Sequence, residues 1–306
     1  MKIRLLRTAV DWLSYFAVRL VLAPLERLPW CASPQATWFL GGFASVFDKK
    51  RRQTHAVRNI RRAFPSLDRA QAVRVLKGVY RNLAQMLVDS LKFARVAARG
   101  KGDEFLEVVG FERLQQARRE TGVVFVTGHF GDWEVLGAAL PLLGYPVWSL
   151  GRQFRNPFLN DYVRRIRETT DQHMLPKRGA MRQIIRLLKQ GSNVGFLIDQ
   201  DARQDGIFVD FFGRPASTTP GPARIAIRTG APVAFVYARR MPGRMRFRIV
   251  LHDLVFPQDG ADVRTETRRM MQRLTADLEA LVREAPTEWL WRHRRWKTYP
   301  GKYGRV

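Results

Sequence analysis

The 306-residue chain carries 53 Lys and Arg against 27 Asp and Glu, a formal net charge of +26, and is 46 % hydrophobic. That composition buries a core and excludes a wholly disordered chain, and with Cys31 as the single cysteine it excludes a disulfide-stapled secreted fold. The positive excess calls for an acidic partner, for which nucleic acid, an anionic membrane face and phosphorylated or acidic substrates all qualify.

From Ile3 to Leu28 the residues are mostly large and apolar, while Arg4, Arg7, Asp11, Arg19 and Glu26 fall within roughly 120° of one another at helical pitch. This spacing predicts an amphipathic helix. Leu28 to Phe47 has no charge, yet Pro29, Pro34, Gly41 and Gly42 interrupt a run that would otherwise approach the ~20 residues of a membrane span. Neither segment reads as a plain transmembrane helix, and Asp11 and Arg19 break the apolar run that a secretory signal requires. Lys49-Lys50-Arg51-Arg52, followed by Arg58, Arg61 and Arg62, is the kind of cluster an anionic bilayer face attracts. Residues 1–50 are thus expected to be a helical membrane-associating segment, with residues 51–306 forming the globular domain.

Val73, Leu76, Val79, Tyr80, Leu83, Leu87 and Leu91 have helical spacing over 67–98. After Gly100 the texture changes. Strands are expected at 105–109, 123–126, 146–150, 194–198, 232–237 and 247–251, with helices at 136–143, 158–167, 181–189, 223–229 and 265–283. This alternation predicts an α/β domain in which helices flank a central sheet. In such folds the chemistry gathers at the carboxyl ends of strands.

One segment meets that condition. Val124-Phe125-Val126 runs into Thr127-Gly128-His129-Phe130-Gly131-Asp132-Trp133-Glu134, a histidine just past a strand with carboxylates following. Residues five apart on one helix point about 140° away from each other. His129 and Glu134 therefore meet only if the histidine sits on the turn that Gly128 and Gly131 permit. A histidine oriented by a carboxylate is a general base. No G-x-S-x-G serine accompanies it, so the base is expected to act directly on a substrate hydroxyl. The local alternative is that His129 ends the strand and Asp132 caps the next helix.

The segment Gly128-His129-Phe130-Gly131-Asp132-Trp133-Glu134 resembles the H-x4-D/E motif of the bacterial lipid A late acyltransferases, the lauroyl and myristoyl transferases within the glycerolipid acyltransferase superfamily. Further similar stretches follow in order: Arg152 with Asn156-Pro157, Asp199-Gln200-Asp201, the FFG-x-PA-x-T loop at 211–218, and Pro286 to Arg295, similar to P-x-x-W-x-W-x-H-R-R. The resemblance implies a mixed sheet of the glycerolipid acyltransferase type, an acyl carrier protein as donor and a phosphorylated glycolipid as acceptor. It also implies work at the cytoplasmic face of the inner membrane, whose surface is anionic. His129 becomes the general base and Glu134 its orienting partner. Arg152 and Arg165 are candidates for an oxyanion donor or phosphate clamp, and Asp199 is a site residue by its place at a strand end. Arg214 and Thr218 lie in a polar loop before a helix, where an anion can be held.

No metal and no cofactor is expected, because His55, His129, His173, His252 and His293 lack the paired spacing of metal sites. Two other readings compete. The same fold acting on another glycolipid or a lysophospholipid fits the motifs equally. A nucleic-acid-binding protein would account for the charge, but it has no helix-turn-helix, zinc-finger or RNP signature to support it and leaves His129 unexplained.

Overall fold

The computed structural model describes residues 2–48, 50–117, 121–150, 155–175, 179–243 and 245–301. The chain opens with three helices, α1 (Lys2–Arg27), α2 (Ser33–Phe47) and α3 (Lys50–Ala63). A long α4 (Arg69–Ala97) follows, started by a capping box in which the Asp68 carboxylate accepts from the Gln71 backbone and the Gln71 side chain accepts from the Asp68 backbone. The α/β part then runs β1 (Leu106–Val109), α5 (Phe111–Gln116), β2 (Val124–Thr127), α6 (Trp133–Leu142), β3 (Val147–Leu150), α7 (Pro157–Glu168), β4 (Gln172–Leu175), α8 (Ala180–Lys189) and β5 (Asn193–Leu197). A hairpin of β6 (Ile207–Asp210) and β7 (Pro215–Thr218) precedes α9 (Gly221–Thr229), β8 (Val233–Arg240), β9 (Phe247–Val255) and α10 (Val263–Glu284).

Seven strands make one mixed sheet in the order β1-β9-β8-β2-β5-β3-β4. Only the β8–β9 pair is antiparallel; every other neighbouring pair is parallel. The strand period of two sends alternate side chains to opposite faces. Val124 and Val126 join a core with α3, α8, α9 and α10, while Phe125 joins a second core with α5, α6 and Phe93 of α4. Burial on both faces is what makes β2 read as an unbroken apolar run.

Some elements differ from the sequence reading, which did not expect the short helix α5. β4 was not expected, because Gln172-His173-Met174-Leu175 carries no strand signature and is held as an edge by β3 alone. The stretch expected to be a polar loop around Arg214 and Thr218 is the β6–β7 hairpin, with Phe212 and Gly213 at positive φ in its turn. Pro215 opens β7 at the edge position where a missing N–H costs nothing.

The N-terminal helix is polarised in the direction opposite to that of a soluble surface helix. Glu26 is buried, bridging Arg19 at 2.8 Å and Arg95 at 2.7 Å and accepting from Tyr162 Oη at 2.7 Å. Further along, the Asp11 backbone carbonyl accepts from Asn156 Nδ2 at 2.6 Å. The outward face holds Trp12, Leu13, Phe16, Leu20 and Val21, all exposed, and on α2 Trp38, Phe39, Phe43 and Val46 are exposed as well. Residues Arg7–Arg27 are long and apolar enough to cross a membrane. A contiguous exposed apolar surface of this kind suggests membrane association.

Candidate active site

Parallel register builds the centre of the site. Thr127 pairs with Leu197 at the carboxyl ends of the adjacent strands β2 and β5. The next residues run on side by side, and Ile198 N–H donates to Thr127 O at 3.1 Å. Two residues beyond each strand lie His129 and Asp199. His129 Nδ1 is 2.7 Å from Asp199 Oδ1, and the His129 backbone N–H donates to Asp199 Oδ2 at 2.7 Å. Trp289 Nε1 donates to the same Oδ2 at 2.8 Å.

Asp199 is fully buried, and both its oxygens are held, so the carboxylate cannot turn away. With Nδ1–H donating to Asp199, the lone pair of His129 is on Nε2. Burial works against the charged imidazole, yet the Asp199 carboxylate outweighs it, with a further contribution from Glu134, and the His129 pKa is raised above its usual range. Burial likewise opposes charge on Asp199, but His129 and its hydrogen bonds hold the carboxyl well below the usual range.

The glycines around the histidine are needed for space. A Cβ on Gly128 would stand 2.7 Å from Leu278 Cδ1, and one on Gly131, whose φ is +59°, would stand 2.1 Å from the Ala238 carbonyl oxygen. Behind the turn, Phe130 bridges Trp289, Leu290 N–H donates to His129 O at 3.0 Å and Gly131 N–H donates to Glu288 O at 3.0 Å. The C-terminal segment is thereby clamped onto the histidine turn. His293 arrives with it, its ring centroid 4.5 Å from that of His129. Burial and the neighbouring cations bring His293 down to about 4, so it is neutral at pH 7, and its Nε2 has no hydrogen-bond partner among the described residues.

The carboxylate bonded to His129 is therefore Asp199, in the position expected for Glu134. Glu134 lies in the first turn of α6, which Asp132 caps by accepting from Val135 N–H. Its two oxygens accept from Arg167 Nη2 at 2.9 and 3.1 Å. These two residues and Trp133 line a cavity of about 130 Å³, a slot between α6 and the sheet, walled also by Leu136, Leu140, Val147, Phe196 and Val236.

The other expected site residues are distributed as follows. Arg152 falls outside the described residues. Arg165 makes no contact with His129: its side chain is 74 % exposed and pairs with Asp161 at 2.8 Å. Arg167, two residues on, is the arginine that reaches Glu134, and its signal in the sequence was hidden in a run of three arginines at 164, 165 and 167. Thr218 is buried, and its Oγ1 accepts from Arg295 Nη2 at 2.5 Å, so it braces the C-terminal segment instead of facing an open loop. Arg214 is exposed in the hairpin turn.

The family model for bacterial lipid A biosynthesis acyltransferases matches residues 1–298. Among similar proteins, the lipid A biosynthesis palmitoleoyltransferase of Escherichia coli (strain K12) is 26 % identical over 94 % of this chain and 92 % of its own length. The lipid A biosynthesis lauroyltransferase of the same strain is 25 % identical over the same shares. A phosphatidylinositol mannoside acyltransferase of Mycolicibacterium smegmatis is 27 % identical over 43 % of this chain and 45 % of its own. With a buried histidine–carboxylate pair at the carboxyl ends of its central strands and a family match running from the first residue to 298, the chain belongs to the bacterial lipid A biosynthesis acyltransferases and is an acyltransferase.

Proposed function

We propose that the protein moves a fatty acyl group from the thioester of an acyl carrier protein to a hydroxyl of a lipid A precursor, with His129 as general base. The observation that carries this reading is the buried His129 bonded through Nδ1 to Asp199, which leaves the lone pair on Nε2. Nε2 removes the acceptor's hydroxyl proton as the oxygen attacks the thioester carbonyl. The tetrahedral intermediate collapses, the C–S bond breaks, and the thiolate leaves with the proton from His129. Asp199 fixes the tautomer and stabilises the imidazolium that forms. The raised pKa makes His129 a stronger base, and the slot past Glu134 and Arg167 takes the acyl chain.

Glu134 is the second carboxylate of the site, held by Arg167. Arg152 keeps its expected role as a donor to the oxyanion or to a phosphate. Residues 1–50 associate with the membrane, and the remainder is the transferase domain working at the cytoplasmic face of the inner membrane. Both an acidic carrier and a phosphorylated acceptor suit a chain of +26.

The test is acyl transfer by the purified full-length chain, with wild type and His129→Ala incubated with acylated carrier and precursor and the product weighed by mass spectrometry. One added acyl mass from wild type and none from His129→Ala is expected. Activity surviving in the variant would overturn the assignment of the base. The mannoside acyltransferase similarity supports a second reading, a different glycolipid acceptor. Lipid mass spectra of cells with and without the gene distinguish the two.

A further inference from the structure

The basic residues of α3 do not spread evenly around the helix. Ala56, Ile60 and Ala63 are buried in the core, and Asn59 beside them donates to the backbone oxygens of Trp291 at 3.3 Å and His293 at 2.9 Å. His55, Arg58 and Arg62 stand at i, i+3 and i+7, a single stripe. Asn59 also contacts His55 Nε2 at 3.4 Å. The stripe is thus joined to the reaction centre through Asn59, His293 and His129.

Two other segments bring cations to the same place. Arg294 follows His293 directly. Arg214 sits at the tip of the β6–β7 hairpin, which is pinned against the end of α3 by the ring contact of Phe212 with Phe64 at 5.4 Å. The groups feel one another. After burial, Arg294, Arg58 and Arg62 push the His55 pKa down, and Arg214 and Arg58 do the same to Arg62. Among the described residues, none of Arg58, Arg62, Arg214 and Arg294 has a carboxylate partner, whereas Arg167, Arg239, Arg240, Arg273 and Arg292 are each paired.

Four guanidinium groups from three segments of chain gather around His55 and Arg62 with no carboxylate partner among the described residues, and together they form a site for a multivalent anion. The position favours a phosphate on the acceptor. The stripe starts just after α2, whose Phe39, Phe43 and Val46 are exposed and apolar, so the cations stand at the edge of the membrane-facing surface, where headgroup phosphates lie. The base must also reach a hydroxyl of the molecule that carries those phosphates.

We propose that Arg58, Arg62, Arg214 and Arg294 form a phosphate-binding subsite that docks a phosphate group of the glycolipid acceptor and sets its hydroxyl against His129. This rests on the proposed acceptor chemistry, and it is tested by binding as well as by turnover. Full-length His129→Ala chain in detergent micelles is titrated with the phosphorylated precursor and with the same lipid after phosphatase treatment. The intact subsite is expected to favour the phosphorylated lipid at least 10-fold. Arg58→Gln with Arg62→Gln, and separately Arg214→Gln, are expected to remove most of that preference. These side chains lie outside the core, and the two variants alter separate elements, so a folding defect in one leaves the other informative.

In the wild-type background the same substitutions are expected to raise KM for the acceptor about 10-fold and leave KM for the acylated carrier unchanged. Equal binding of both lipids, or an effect confined to the carrier's KM, overturns the subsite; the latter would assign the patch to the carrier protein. Inorganic phosphate competing as well as the lipid would also overturn it, because the site would then be a general anion site. Failure of wild type to acylate the precursor counts against the proposed function and leaves the binding result standing by itself.

Discussion

Arg167 grips Glu134 with Nη2 at 2.9 and 3.1 Å from the two carboxylate oxygens, while Asp199, seventy residues from His129 in the chain, takes the hydrogen bond to His129. The two carboxylates flanking the histidine therefore do different work. One is hydrogen-bonded to the histidine ring, and the other is committed to a cation that lines the slot.

That division separates the effects of two conservative substitutions. Asp199→Asn keeps the shape but replaces an acceptor-only group with an amide, and it is expected to lower kcat by the ~10²–10⁴-fold typical of general acid–base catalysis. Glu134→Gln leaves the His129–Asp199 pair in place and is expected to cost less than Asp199→Asn. Steady-state kinetics of both variants check this; an Asp199→Asn enzyme with wild-type kcat would remove Asp199 from the mechanism.

The pH profile follows from the raised His129 pKa. The base works only when unprotonated, so kcat/KM is expected to rise with pH through an ionisation above the ordinary 6.5. Removing the Asp199 charge leaves burial as the main influence, which favours the neutral imidazole. The acid limb of Asp199→Asn is therefore expected to move to lower pH, and that of Glu134→Gln to move the same way by less. A limb that stays fixed in Asp199→Asn would assign the ionisation to another group.

Arg165 and Arg167 differ by orientation and not by type. Arg165→Lys is expected to keep kcat/KM within about 2-fold, since the side chain pairs on an exposed face. Arg167→Lys is expected to cost 10-fold or more, because one ammonium on a flexible stem cannot keep both the Nη2 contact to Glu134 and the Nη1 contact to Met174 Sδ. Equal kinetics for the two variants would place both arginines outside the site.

The slot offers a test of the acyl chain. Gly137 lies on α6, where alanine is favoured, and its added Cβ would meet the flexible end of Gln172 at 2.5 Å. Gly137→Ala is expected to fold and to narrow the slot, shifting preference toward shorter acyl donors in a competition between chain lengths. An unchanged preference would mean that the chain runs elsewhere.

Deleting residues 1–47 removes the exposed apolar faces of α1 and α2 and leaves the basic stripe of α3. The truncated protein is expected to remain partly on membranes and to wash off in high salt, whereas the full-length chain needs detergent; each basic residue near an anionic surface contributes about 1 kcal/mol. Fractionation at low and high salt checks this. Full-length protein released by salt alone would leave no role for apolar insertion.

Much of this protein was legible in local pattern. The apolar run of β2, the glycines around His129 and the polar stripe of α1 follow from periodicity and from the conformational freedom of glycine, which are properties of neighbouring residues. They located His129 at a strand end and Asp199 at another. Which carboxylate served which group was decided elsewhere. The H-x4-E spacing favoured Glu134 because it is near in sequence, but the register of β2 against β5 brings Asp199 to His129, and register depends on how whole strands pair and bury their faces. The same holds for Thr218, which reads as a loop residue until Arg295 is folded against it, and for α1, whose polar stripe turns toward Tyr162 and Arg95 and leaves the apolar face outside. Local chemistry set what each segment could be. Partners distant in the chain decided which side chains met, because hydrogen bonds and ion pairs act over a few ångströms in space regardless of separation along the chain.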